Sequence, residues 1–269
     1  MTTFRNRVIQ ILLSAPIFLS LPAAGAESIS SSADLIADGK ALLTQTHQRL
    51  PDNVGNGLNC TSCHLEAGTK SKAAPWIGIT SDYPGYSARN GRIISLENRI
   101  NDCFLRSMNG KALNDNSAEM RSILAYMAWL SKDVSRSKRD AGRGFVNIDR
   151  RLVPDPHKGA TIYAARCAAC HGANGLGGVN AGIADGAGVI QIVVPPLWGA
   201  NSFNIGAGMA RSYTAAAFVK HNMPLGKGET LSDQEAVDVA AYFTQQSRPG
   251  FAGQSKDWPS GGRPTDARN

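Results

Sequence analysis

Two pentapeptides carry the most specific chemistry in this sequence, Cys60-Thr61-Ser62-Cys63-His64 and Cys167-Ala168-Ala169-Cys170-His171. C-x-x-C-H is the attachment signal of c-type haem: two thiols add to the vinyl groups, and the adjacent histidine is tethered where it can ligate iron. A single such frame is also compatible with a redox dithiol. Its repetition 107 residues further on points to two covalently bound c-type haems, with His64 and His171 as proximal iron ligands.

The sixth iron position decides what each haem does. For the second haem the expected ligand is Met223 in Asn222-Met223-Pro224, 52 residues after His171 and just ahead of a helix-capping sequence. A thioether there raises the potential and suits electron transfer. Met209 and His221 are rivals. For the first haem, no methionine or histidine lies between His64 and Cys103. Cys103, left over from five cysteines, is therefore the expected distal ligand, with Met108 and Met120 behind it and a buried structural thiol as the plain alternative. Ser95 to Met108 has helical character, which sets Arg99 at i−4 and Arg106 at i+3 from Cys103. Cationic neighbours favour the thiolate, the form that binds metal or attacks sulfur.

Helices must position these residues. Ala37 to Leu50 leads into the first motif and Gly159 to Ala165 into the second. Met120, Ile123, Leu124, Met127 and Leu130 form an apolar stripe at helical spacing. Ser232-Asp233-Gln234-Glu235 is a capping box whose helix turns Ala236, Val239, Ala240 and Phe243 inward. Strand-like alternation is scarce, so the expected fold is all-α, with two class I cytochrome c-like domains. Their expected limits are 27–135 and 156–247. A charged linker, 136–155, carries Arg136, Lys138, Arg139, Arg143, Arg150 and Arg151, and a tail, 248–269, reads as irregular or disordered.

Residues 1–26 read as a cleaved signal peptide: Arg5 and Arg7, an apolar run from Val8 to about Leu21, then Ala24-Gly25-Ala26. Roughly 14 apolar residues fall short of the ~20 that span a bilayer, so no membrane anchor is expected after cleavage. The mature chain is then expected to be secreted, to the periplasm in a Gram-negative source. Removing the leader takes away two arginines, leaving 26 basic and 21 acidic side chains and a charge of +5. That balance favours small anions or an acidic protein partner, and it lacks the Lys/Arg blocks of nucleic-acid binding.

The stretch from Arg99 to Gly110, Arg-Ile-Asn-Asp-Cys-Phe-Leu-Arg-Ser-Met-Asn-Gly, resembles the distal-cysteine segment of the diheme thiosulfate dehydrogenases. So do the Arg89 segment Tyr86 to Gly91, Pro195 to Gly199, Ser202-Phe203-Asn204 and Asn222 to Gly226, and the likeness runs from about Ala37 to Phe243. The Arg99 segment also resembles the diheme subunit of the Sox sulfur-oxidising complex, which tends to carry a cysteine ligand in each half; here no cysteine is spare beyond Cys103. Some dehydrogenases place a lysine before the second-haem methionine, where this chain has Asn222.

The resemblance implies oxidation of two thiosulfate ions to tetrathionate at the first haem, with the second passing electrons to an acceptor cytochrome. Arg89 and Arg99 match the family's substrate-binding arginines, and Arg106 is a weaker candidate. Two dianions at about 4 Å repel with roughly four times the ~1 kcal/mol of a unit pair in water, so fixed guanidiniums answer a physical need. Cys103 is expected to hold the sulfane sulfur of one thiosulfate while the second attacks. A Sox-type subunit and a plain diheme electron carrier remain as alternatives, and the direction, oxidation or tetrathionate reduction, stays open.

Overall fold

The computed structural model describes residues 31–135, 144–184 and 189–268. The leader motif and Arg136, Lys138, Arg139 and Arg143 of the linker lie outside them. Among the described residues no helix is long and apolar enough to cross a membrane.

Six helices of more than two turns are described. Helix α1 (Ser32–Thr44) opens on a capping box between Ser31 and Asp34, α2 (Leu96–Arg106) on Ser95, and α3 (Ala118–Ser131) on Ser117. In the second half, α4 (Pro156–Arg166) starts on Asp155 with proline in its first turn. Then come α5 (Ser212–Asn222) and α6 (Asp233–Gln245), the latter on the expected capping box of Ser232 and Glu235. Each cap accepts an amide that the first turn leaves free, which fixes the start of the helix. The entry helix expected over 37–50 breaks at Gln45, and Thr46–Arg49 makes a separate turn. Two antiparallel hairpins, β1 (Gly85–Ser87) with β2 (Arg92–Ile94) and β3 (Gly178–Ala184) with β4 (Val189–Val194), occupy the long loops after the motifs. These and α5 had no sequence expectation. Among the described residues the regular structure is otherwise helical, in keeping with the expected all-α class.

The two halves use the same packing devices. In the first, α1 crosses α3 so closely that a Cβ on Gly39 would stand 1.9 Å from the Ser122 carbonyl oxygen. In the second, α4 crosses α6 with 2.1 Å between a Cβ on Gly159 and the Asp238 oxygen. Only glycine permits either approach. Behind each crossing an indole stands edge-on to a tyrosine, Trp76 to Tyr126 at 6.4 Å and Trp198 to Tyr242 at 5.9 Å between ring centres. Buried Leu42, Leu43, Phe104, Met120 and Ile123 fill the first core, and Tyr163, Ala236, Val239 and Phe243 the second.

From Ser31 onward the chain forms one compact unit. The described part of the charged linker is not simply solvated: Ile148 is buried, and Phe145 stands edge-on to Phe218 at 5.7 Å. The tail is irregular in backbone but fixed in place, because Asp257 receives both terminal nitrogens of Arg106 at 2.7 Å and the Trp258 amide donates to the Arg89 carbonyl at 2.8 Å.

Candidate haem and substrate site

The first motif turns tightly. Cys60 to Ser62 form a single 3-10 turn, the Cys60 amide donates to Thr46 Oγ1 at 3.1 Å, and His64 follows at its end. His64 Nδ1 lies 2.6 Å from the Ala74 carbonyl oxygen, and its ring tilts over Trp76 at 4.8 Å. A carbonyl can only accept, so Nδ1 carries the proton and Nε2 keeps its lone pair for a metal. Burial holds the imidazole's pKa down at about 4, so the ring is neutral at ordinary pH. The second motif repeats the arrangement, with His171 Nδ1 3.0 Å from the Pro195 carbonyl and burial again lowering the pKa. An outer partner that fixes tautomer and ring direction is what metal-ligating histidines have.

Beside the second motif lies a cavity of ≈ 760 Å³. Cys167, Cys170 and His171 line it together with Leu197, Phe203, Val239 and Phe243, an apolar shell suited to a flat hydrophobic ring system. Met223 and Met209 both reach this wall, so both remain within the cavity's shell. His221 is not among the lining residues; its Nδ1 lies 2.6 Å from Glu229 Oε1. Thr61, Ser62 and Cys63 of the first motif also line it, so the two motifs share a wall. Thiols, a free imidazole nitrogen and an apolar cavity fit c-type haem.

Helix α2 presents the spare thiol. Arg99 Nη1 donates to Cys103 Sγ at 2.9 Å across one helical turn. Arg99 is solvent-accessible although protein atoms crowd around it, and Cys103, foremost, and then Tyr83 push its pKa further up, so it is a permanent cation. Cys103 is close enough to the first motif for its charge to act on both Cys60 and Cys63, whose thiols burial, the largest cause, pushes up to about 12. The expected grouping of Cys60, Cys63, His64, Arg99 and Cys103 is thus brought together. The fallback ligands Met108 and Met120 are 2% and 0% exposed and belong to the core.

The remaining arginines divide. Arg89 donates to the Gly206 carbonyl at 2.6 Å, stacks over Trp258 at 4.6 Å and lies 3.8 Å from Asp257. Burial, then the charges of Arg106 and Arg211, brings its pKa down to about 10. Arg106 is spent on structure: both terminal nitrogens grip Asp257, and the guanidinium lies over Phe251 at 4.3 Å. Sequence reasoning missed Trp76, Tyr83 and the tail residues Asp257 and Trp258, and met Trp198 only within the Pro195 to Gly199 resemblance. Trp76 and Trp198, the first tryptophan after each motif, were the available signal.

The family model of the SoxA/TsdA cytochrome c domain matches residues 52–135, and that of cbb3-type cytochrome c oxidase subunit III matches residues 154–243. A thiosulfate dehydrogenase of Psychrobacter arcticus is 50% identical over 230 residues, covering 86% of this chain and 68% of that protein. The thiosulfate dehydrogenase of Allochromatium vinosum is 46% identical over 237 residues, with 87% and 85% covered. Among solved structures, the thiosulfate dehydrogenase TsdBA of Marichromatium purpuratum in its "as isolated" form superposes with a TM-score of 0.72 at 35% identity. That match covers 85% of this chain and 49% of the other, so this chain spans about half the length of that protein. With identities of 46–50% extending over more than two thirds of two such proteins, this chain belongs to the thiosulfate dehydrogenase family of c-type cytochromes.

Proposed function

We propose that the protein is a periplasmic diheme cytochrome that oxidises two thiosulfate ions to tetrathionate and delivers two electrons to an acceptor cytochrome. The observation that carries this reading is the 2.9 Å contact between Arg99 Nη1 and the spare Cys103 Sγ beside the first motif. A thiol that attaches nothing, clamped by a fixed cation next to a haem-binding motif, has the makings of a sulfur-handling site.

Cys60, Cys63 and His64 would hold the first haem, and Cys167, Cys170 and His171 the second, with Cys103 and Met223 as the further iron ligands. Bound there, haem would supply the one-electron acceptors for the reaction. The protein groups do the rest. Arg99 donates to Cys103 Sγ and, with Arg89, receives sulfonate oxygens through planar donor forks. Sγ of Cys103 bonds to the sulfane sulfur of one thiosulfate as two electrons depart, leaving a cysteine S-thiosulfonate. A second thiosulfate attacks that sulfane sulfur, the new S–S bond completes tetrathionate, and Sγ leaves as thiolate. No proton is gained or lost, and the two electrons released in the first step are the product current. The same steps run backward as tetrathionate reduction when the acceptor is reduced enough. The cavity wall shared by the two motifs supports passage of electrons from one to the other.

The leader pattern of residues 1–26 supports export. The test is direct: the purified protein should carry the mass of two haems, be reduced by thiosulfate, and yield one tetrathionate for two electrons passed to an artificial acceptor. A protein with both haems that thiosulfate does not reduce overturns the assignment and favours a plain electron carrier.

A further inference from the structure

The second half sends one short turn back to the arginines of the first. Arg89 Nη1 donates to the Gly206 carbonyl, and Arg106 Nη1 lies 3.1 Å from where a Cβ on Gly206 would stand. Two residues on, Arg211 Nη2 lies 3.9 Å from the corresponding position on Gly208. The turn Gly206-Ala207-Gly208 is therefore flanked by guanidiniums from both halves.

Three of the four arginines in this group have a visible duty. Arg106 grips Asp257, Arg89 is set by Gly206 and Trp258, and Arg99 holds Cys103. Arg211 has none. It occupies the N-cap position of α5 without capping it. Its Nε is buried with no hydrogen-bond partner, and its guanidinium makes no hydrogen bond to a described residue. The carboxylate that acts on it is Asp266, whose own oxygens go to the Tyr213 amide at 3.0 Å and to Arg150 at 3.5 Å. Arg99 and Arg89 lie within electrostatic reach and repel it; burial is the largest cause of its lowered pKa. A half-buried cation with idle donors among like charges is costly unless an anion fills the space.

We infer that Arg211 is a substrate-binding residue, the guanidinium that the second half contributes to the anion site, and that it receives the second thiosulfate beside the one held at Arg99 and Cys103. This rests on the reaction proposed above and deepens it. Joining two dianions needs positive charge on both sides of the new S–S bond, and in the first half Arg106 is already taken by Asp257. The shared chemistry is an oxyanion, so a haem propionate is the other group that could engage the same donors.

The experiment uses the holoprotein, reduced with dithionite so that it can accept no electrons, and titrates it calorimetrically with thiosulfate. Wild type should bind two ions per chain. Arg211→Gln should weaken the second by roughly tenfold or more, the loss expected for one charged hydrogen-bonding partner, and Arg211→Lys should recover part of it. Both variants should keep two haems and unchanged midpoint potentials. A single binding event in wild type, or equal affinities in wild type and Arg211→Gln, overturns the inference; a shifted potential with unchanged affinity does so by assigning Arg211 to a propionate. Two binding events that Arg211→Gln reduces to one, in a protein that never forms tetrathionate, would sustain the anion site and refute the reaction.

Discussion

At the scale of single residues, the proposed reaction divides the site into groups that attach, groups that bind and one that reacts. Cys103→Gly should leave both haems attached, because attachment uses other thiols, while thiosulfate oxidation falls by orders of magnitude; activity near wild type would make Cys103 structural. Arg99→Ala removes the donor 2.9 Å from that sulfur and a permanent cation. It should raise the thiosulfate concentration needed for half-saturation and alter the ionic-strength dependence of the rate, as steady-state assays over a salt series will read. Met223 and Met209 share one cavity wall, so redox titration must separate them. Met223→Gly should lower the potential of the second haem, since thioether ligation favours the ferrous form, and slow turnover while thiosulfate still reduces the first. Met209→Gly should leave that potential in place, and the reverse pattern would exchange the two assignments.

At the scale of elements, both halves depend on one helix crossing with a glycine in it. Helix α4 approaches α6 until a Cβ on Gly159 would meet the Asp238 oxygen at 2.1 Å, and backbone cannot yield as a side-chain tip can. Gly159→Ala should therefore destabilise the protein by about 1–3 kcal/mol, the usual cost of forcing atoms into a filled contact, as denaturant unfolding of the holoprotein will measure. A variant as stable as wild type would mean that the helices part freely. The same crossings explain how far the elements were legible. The capping box at Ser232 and the apolar stripe from Met120 are local patterns, and the helices stand where those patterns put them. Helix α5 escaped notice because Ser212–Asn222 is apolar nearly all round, burying Ala215, Ala216, Ala217, Phe218 and Val219 in succession. A helix buried on most of its faces shows no 3.6-residue contrast to detect.

At the scale of the whole molecule, the tail is tied to Arg89 and Arg106 of the first half. Arg106 and Asp257 are 151 residues apart, and their side chains are 8% and 4% exposed. Breaking one side of such a buried pair leaves an uncompensated charge. Asp257→Asn should cost about 3 kcal/mol or more in unfolding free energy, and it should also weaken thiosulfate binding, because Arg89 leans on the same carboxylate at 3.8 Å. Unchanged stability and unchanged binding would show that the tail is only a cover. Lys72 and Glu229, paired at 2.8 Å, make a second tie between the halves. With both side chains more than 40% exposed, that pair contributes little in the presence of salt.

The sequence by itself determined the two haem-attachment motifs and the pairing of Arg99 with the spare Cys103. C-x-x-C-H is a covalent signature contained in five residues, and Arg99 and Cys103 meet because they are four apart on one helix. Such information is local, and no tertiary contact is needed to read it. The tertiary structure alone decided that Arg106 serves Asp257 rather than substrate, that Arg89 is braced by Trp258 and Gly206, and that Arg211 is left with idle donors beside them. Those outcomes depend on which distant segments are brought within hydrogen-bond reach and on how much water is excluded there. A charge in a sequence looks the same whether it ends buried against a carboxylate or with its donors idle.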